Sequence, residues 1–370
     1  KGSEKEGKEG EEFEEEEEFE GEEEEEDSSV LKEKSVSGSD KEKFEKEQEE
    51  FLLTKDTKWV EKYFKNNNFD LINNEGGGEC LFAVIRDGLE TIGKQVSVKE
   101  LRNKLANEAS EEIFQNYKEK YDMFKSGLEI SNTELQALVK RNKELKIQLT
   151  ATTDRSEHKK IIAEASDIKT QFEELKNQLK FQKELLDEWK FMKNIKTLDQ
   201  FKELINSSNF WADTWAISTL ERIYNIKLII FSFEQYNTQL LESKKTPTIN
   251  TLNIVLCGQL NDKILEEKGS FEPSHYIMTD YNGSHYQLIT YKKRGALTFQ
   301  QLPYAVKKLI SEICLQGDAG SFLIIPDINN FKLTNVDEEI QQIEGGGLNF
   351  GNDPTNPLYN NKIQFIIRSF

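Results

Sequence analysis

The chain has 370 residues, 36% hydrophobic and 32% charged, with a formal net charge of -19, enough for one sizeable core or two small ones. Its longest apolar runs, such as Ile226 to Phe233 and Phe322 to Ile325, fall far short of the ~20 residues of a membrane helix, so a soluble protein without a membrane partner is expected. The acidic balance argues against nucleic acid as a ligand, because phosphate contacts need clustered Lys and Arg.

The charge is concentrated at the start. Residues 1 to 50 hold 24 of the 68 Asp and Glu and 8 of the 49 Lys and Arg, which leaves a nearly neutral remainder of 44 acidic and 41 basic residues. From Glu11 to Asp27 the sequence is almost wholly Glu, interrupted by Phe13, Phe19 and Gly21. Self-repulsion and lack of apolar surface predict a disordered acidic tail over 1 to 50. Its role is either solubility or an acidic arm for a basic partner. The first residue is Lys1, so a fragment of a longer protein is expected.

From Phe51 the composition becomes globular. Lys58 to Phe64 has the spacing of a short amphipathic helix, Asn66 to Asn68 mark a turn, and Phe69 to Ile72 form a short apolar stretch. In Glu75-Gly76-Gly77-Gly78-Glu79-Cys80-Leu81-Phe82-Ala83-Val84-Ile85, a glycine loop precedes a cysteine that opens a helical run through Leu81, Val84, Ile85 and Leu89. A cysteine at a helix N-terminus is favoured as thiolate, and the backbone N–H groups of Gly77, Gly78 and Cys80 can hold an oxyanion. A second glycine run, Glu344 to Gly347, has no cysteine after it and reads as a linker.

Ser97-Val98-Lys99-Glu100 has the pattern of a capping box. Beyond it, Leu135, Leu138, Leu145 and Leu149, then Ile161, Ala165, Ile168, Phe172, Leu175, Leu179, Leu186 and Trp189, keep coiled-coil spacing broken only at Gln182. With a turn at Thr150 to Ser156, this predicts an antiparallel helical hairpin inserted at about 128 to 195. It would be a structural outgrowth, a grip for a partner, or a means of self-association.

A cysteine nucleophile needs a base, and the histidines are His158, His275 and His285. His158 lies in a charged helical stretch and is expected to be exposed and inert. Tyr276 to Tyr281 and His285 to Tyr291 read as strands joined by an Asn282-Gly283-Ser284 turn. Position alone leaves His275 and His285 even. Cys257, in the apolar run Ile254 to Cys257, and Cys314, on an amphipathic helix at Leu302 to Leu315, are expected to be small core hydrophobes. Three scattered cysteines and no secretory signal suggest a reducing, intracellular compartment, with no disulfide framework, metal or cofactor. Ser321 to Ile325 predicts a last short strand, followed by polar, Asn-rich sequence up to the apolar run Lys362 to Ile367.

Gly78-Glu79-Cys80-Leu81-Phe82 resembles the nucleophile motif of the OTU (ovarian-tumour) cysteine proteases, and Gly283-Ser284-His285-Tyr286 resembles their His-Tyr motif. Asn209 to Ile217 with Tyr224 to Ile230 is similar to the family's middle segment, a helix leading into a core strand. The composition and the Gly-Gly-Gly form look like the copies found in large DNA viruses. The resemblance covers residues 57 to 295, leaving 296 to 370 as a C-terminal extension and Gly/Asn-rich tail. It implies an α+β fold with a small central sheet flanked by helices, and a deubiquitinase in which Cys80 is the nucleophile and His285 the base.

At the two positions where the family usually places the group that orients its histidine, this chain has Gly77 and Gln287. Residues two apart on a strand share a face, so Gln287 is expected to accept the imidazole N–H, with Asp280, Asn282 and then Glu79 as alternatives. Trp211 and Trp215 are expected in the core. The alternative to an active enzyme is a catalytically weak OTU-like module that binds ubiquitin or assembles through its hairpin; a papain-like protease of other substrates is more remote.

Overall fold

The computed structural model describes residues 39–242, 253–316 and 320–345. In chain order these form α1 (39–49), α2 (Trp59–Phe64), β1 (Phe69–Ile72), α3 (Cys80–Glu90), α4 (Val98–Glu108), α5 (Glu111–Ala151) and α6 (Arg155–Glu188). There follow α7 (Leu198–Ile205), α8 (Thr214–Tyr224), β2 (Ile226–Ser232), α9 (Phe233–Glu242), β3 (Val255–Leu256), α10 (Lys263–Lys268), β4 (His275–Tyr281), β5 (Tyr286–Tyr291), β6 (Ala296–Leu297), α11 (Tyr304–Ile313) and α12 (Pro326–Gly345). The boundaries follow local chemistry. Ser97, Ser110, Asp154, Thr197, Asp213 and Asp262 each cap a helix by accepting an early backbone N–H. Ser97 supplies only half of the expected capping box, because Glu100 pairs with Lys104 instead.

The sheet is mixed α+β architecture's central layer, six strands in the order β1-β5-β4-β2-β3 with β6 also on β4. Only β2 and β4 run parallel; the other pairings are antiparallel. Every residue of β2 is buried, as a central strand covered on both faces requires. Its alternate residues Ile226, Leu228 and Ile230 face a core shared with α3, α4, α7 and α8, while Ile229 and Phe231 face a second core under α2 and α11. The Glu221–Lys227 ion pair within this interior is fully enclosed, and Lys227 also donates to Ser321.

The helical hairpin is present and antiparallel, with Leu138, Leu145 and Leu149 packed on Ile161, Ala165 and Ile168. Its first helix has no break near residue 128: α5 runs unbroken from Glu111. Gly127 is absorbed inside the helix, and a side chain there would meet Gln182, the residue that interrupts the apolar seam. The hairpin is rooted by aromatic contacts of Tyr117 and Phe124 with Trp189.

Four expectations change. Residues 39–49, expected to be disordered, form α1, which buries Phe44 in the core and sets Asp40 and Glu47 against Lys307 and Lys292. Ser321 to Ile325 is a turn rather than a strand, because Phe322 and Ile325 fill the core below it without a strand partner. The polar stretch after it begins as a helix, α12, through Ile328 and Phe331 on the same core. Cys257 and Cys314 form a disulfide, their Cα atoms 5.2 Å apart where the chain after β3 meets the end of α11. This withdraws the argument from cysteine usage for a reducing compartment. The Glu-rich run, most of the second glycine run and the apolar run Lys362 to Ile367 lie outside the described residues. Among the described residues no helix is long and apolar enough to cross a membrane.

Candidate functional site

Cys80 is the first residue of α3 and is 3% exposed, the one free cysteine among the described residues. A 3-10 turn, Gly77–Glu79, delivers the chain into it. The three glycines are not equivalent. Gly77 has φ +72°, a conformation that costs any residue with a Cβ, whereas a Cβ on Gly78 would lie 2.1 Å from the Ser208 carbonyl oxygen and 2.9 Å from that of Phe210. Gly76 has open space around it. The opening turn of a helix leaves its first N–H groups unpaired, and among the described residues those of Gly77 and Gly78 make no bond outside the turn.

Behind this turn lies Arg102 on α4, 2% exposed. Its Nη2 donates to the Gly78 carbonyl at 2.7 Å and its Nη1 to the Ile205 carbonyl at 2.8 Å, with both nitrogens near the Phe210 carbonyl. The guanidinium also stacks 4.1 Å over Phe82. Burial pulls its pKa down to about 10, opposed by the nearby Glu79 and Cys80.

His285 stands between the Asn282–Ser284 turn and β5, its backbone N–H donated to Asn282 Oδ1 at 3.1 Å. Its Nε2 is 3.3 Å from Oδ1 of Asn73, and Gln287 Nε2 donates to that same oxygen at 3.1 Å. Asn73 Oδ1 thus acts as acceptor, so His285 Nε2 carries the hydrogen and Nδ1 is left to take a proton. Next in sequence, the buried Asn74 accepts from the Leu288 N–H at 2.8 Å and donates to Asp87 on α3, fixing the end of β1 to both β5 and the helix that Cys80 opens.

The residue in contact with the His285 ring is therefore Asn73, and Gln287 donates to Asn73 rather than accepting from the imidazole. Asp280, paired with Gln287 across β4 and β5, is also taken up elsewhere: it accepts from the Phe233 N–H, while burial pushes its carboxyl up to about 6. Asn282 serves the β4–β5 turn, and Glu79 lies in the turn before Cys80, with no bond to His285 among the described residues. The signal for Asn73 was strand register. β1 and β5 pair Ile72 with Leu288, so the next position sets Asn73 opposite Gln287.

The other histidines fall away. His275 opens β4, six residues and on the order of 20 Å of extended chain from Tyr281 at its far end. His158 is half-buried and bonds the Thr152 carbonyl at 2.8 Å, closing the hairpin tip. Cys80 acts electrostatically on Tyr281 and Tyr286, the pair flanking the His285 turn, so the cysteine and His285 share one end of the sheet. Among the described residues no hydrogen bond joins the Cys80 sulfur to His285.

Compared with protein-family models, curated proteins and solved structures, the chain matches none.

A groove of about 720 Å³ runs from this end of the sheet to the root of the hairpin, walled by Trp189, Phe191, Trp211, Tyr281 and Tyr286. Trp211 is thus a groove residue, 48% exposed, and not core, whereas Trp215 is buried against Tyr117. Among the described residues no three of His, Cys, Asp and Glu gather to hold a metal ion.

Proposed function

We propose that the chain is an OTU-like cysteine protease that hydrolyses bonds to the C-terminus of ubiquitin or a ubiquitin-like protein, with Cys80 as nucleophile and His285 as general base. The observations that carry this reading are the His285–Asn73 contact and a cysteine that opens a helix behind a glycine turn. An imidazole held through Nε2 presents Nδ1 to a thiol, the arrangement a cysteine-histidine pair needs. The N–H groups of Gly77, Gly78 and Cys80 supply oxyanion donors. The motif order of the sequence adds the OTU assignment and the substrate.

In this mechanism His285 takes the Cys80 proton and the thiolate attacks the scissile carbonyl carbon. The tetrahedral oxyanion is stabilised at the Gly77–Gly78 turn, and His285 returns the proton to the leaving amine. Water, deprotonated by His285, then hydrolyses the thioester and frees Cys80. The groove beside Trp211 receives the extended C-terminal segment of the substrate. Such an enzyme acts where ubiquitin conjugates occur, inside cells, including the host cytoplasm or a virion for a viral protein.

A second reading is favoured by the closed sulfur, which is 3% exposed and makes no hydrogen bond to His285 among the described residues: a weakly catalytic module that binds ubiquitin. Hydrolysis of ubiquitin carrying a fluorogenic C-terminal amide separates the two. Turnover that disappears in Cys80→Ala and His285→Ala supports the enzyme. Binding of ubiquitin without turnover by the folded wild type supports the module.

A further inference from the structure

We infer that Arg102 is the positioning residue of the nucleophile: its guanidinium holds the turn before Cys80 in place and supplies the buried positive charge against which the thiolate forms. This rests on the reading of Cys80 as nucleophile.

Three observations lead there. First, Arg102 is 2% exposed yet has no carboxylate within ion-pair distance among the described residues; its partners are the carbonyls of Gly78, Ile205 and Phe210. An enclosed guanidinium without a counter-anion is costly, and a core helix position next to Leu101 and Leu105 is otherwise filled by an apolar side chain. Second, those carbonyls belong to two separate segments, the Cys80 turn and the chain between α7 and α8. These approach so closely that Gly78 has no room for a methyl group against Ser208 and Phe210. The planar fork of arginine can bind several carbonyls at once, which an ammonium cannot do in the same geometry. Third, the guanidinium lies over Phe82, two residues into the helix that Cys80 opens, and interacts electrostatically with Cys80.

The surroundings of Cys80 make this charge decisive. Tyr281 on β4 and Tyr286 on β5 face it as neutral phenols, both resistant to ionisation through burial. Glu79 adds a negative charge from the turn itself. Arg102 is the permanent cation of this set; Glu79 is the larger negative influence on it, and ionisation of the Cys80 thiol adds a second.

The test uses the full chain and Arg102→Met and Arg102→Lys, each checked for folding by circular dichroism. Iodoacetamide is the probe, and alkylation of the Cys80 peptide is followed by mass spectrometry at pH 7.5. The expected result is a fall of about tenfold or more in Arg102→Met and a smaller one of about threefold in Arg102→Lys, which keeps charge but not the fork. With a fluorogenic ubiquitin amide, kcat should fall in the same order while KM is unchanged. Either variant, folded, alkylating at the wild-type rate overturns the proposal; Arg102→Lys decides if Arg102→Met does not fold. Alkylation needs no ubiquitin, so a wild type inert to ubiquitin but showing the Arg102 dependence sinks the protease reading and leaves this inference standing.

Discussion

Asn73 Oδ1 is shared between two donors of the facing strand, His285 Nε2 at 3.3 Å and Gln287 Nε2 at 3.1 Å. One amide oxygen therefore fixes the imidazole, and a second amide fixes the first. This ranks the two residues. Asn73→Ala should lower kcat on a ubiquitin amide by roughly tenfold to a hundredfold with little change in KM. Gln287→Ala, acting one step further away, should cost only about threefold, and adding it to Asn73→Ala should cost almost nothing more. Steady-state kinetics on the two single variants and the double variant check this; equal losses in Gln287→Ala and Asn73→Ala would contradict the ranking.

The glycine run predicts three different outcomes for one kind of substitution. Gly76→Ala should be neutral within about 0.5 kcal/mol, since nothing lies within 4 Å of its Cβ position. Gly77→Ala should cost about 1 to 2 kcal/mol for its left-handed backbone. Gly78→Ala should cost about 3 kcal/mol or more, because backbone oxygens occupy the space. Urea unfolding of the three variants gives the order directly.

Asp280 is 2% exposed, and burial raises its carboxyl from the unfolded range to about 6, the N–H of Phe233 pulling the other way. A raised folded-state value means the folded protein binds this proton more tightly than the unfolded chain. The group is then neutral in both states only below about pH 3, and its stability cost develops as pH rises from there through about 6. Asp280→Asn should be more stable than wild type at pH 7.5 by up to about 3 kcal/mol, and the difference should vanish at about pH 3. Melting temperatures across that pH range test the sign as well as the size.

The Cys257–Cys314 disulfide closes a sequence separation of 57 residues around β4, β5 and β6. Its loss, by reduction or by Cys257→Ser, should destabilise the fold by up to about 4 kcal/mol on loop-closure entropy. The bond lies away from the Cys80 turn, so the rate of Cys80 alkylation at 20 °C should not change. Thermal melts with and without reductant, beside a count of free thiols, measure both parts.

What the sequence made legible was local. The helix opening at Cys80, the strands of the His285 hairpin, the fully buried β2 and the coiled-coil seam all declare themselves through periodicity and turn residues within a few positions. Asn73 did not, because its role depends on the pairing of β1 with β5 across more than 200 residues. Arg102 was invisible for a related reason: an arginine on an amphipathic helix is ordinarily a surface residue, and only the packing of α4 against the Cys80 turn encloses it. The disulfide likewise needs the approach of β3 to the end of α11, and α1 needs the acid-base contacts that anchor an otherwise strongly charged segment.

The role proposed for Cys80 is that of a nucleophile addressed by the C-terminus of ubiquitin. The most direct measurement incubates the full chain with ubiquitin bearing a C-terminal electrophile and locates any adduct by intact mass and peptide mapping. The expected result is one ubiquitin attached at Cys80, absent in Cys80→Ala and slowed in Asn73→Ala. A folded wild-type protein that forms no adduct, or forms it at another residue, would contradict it.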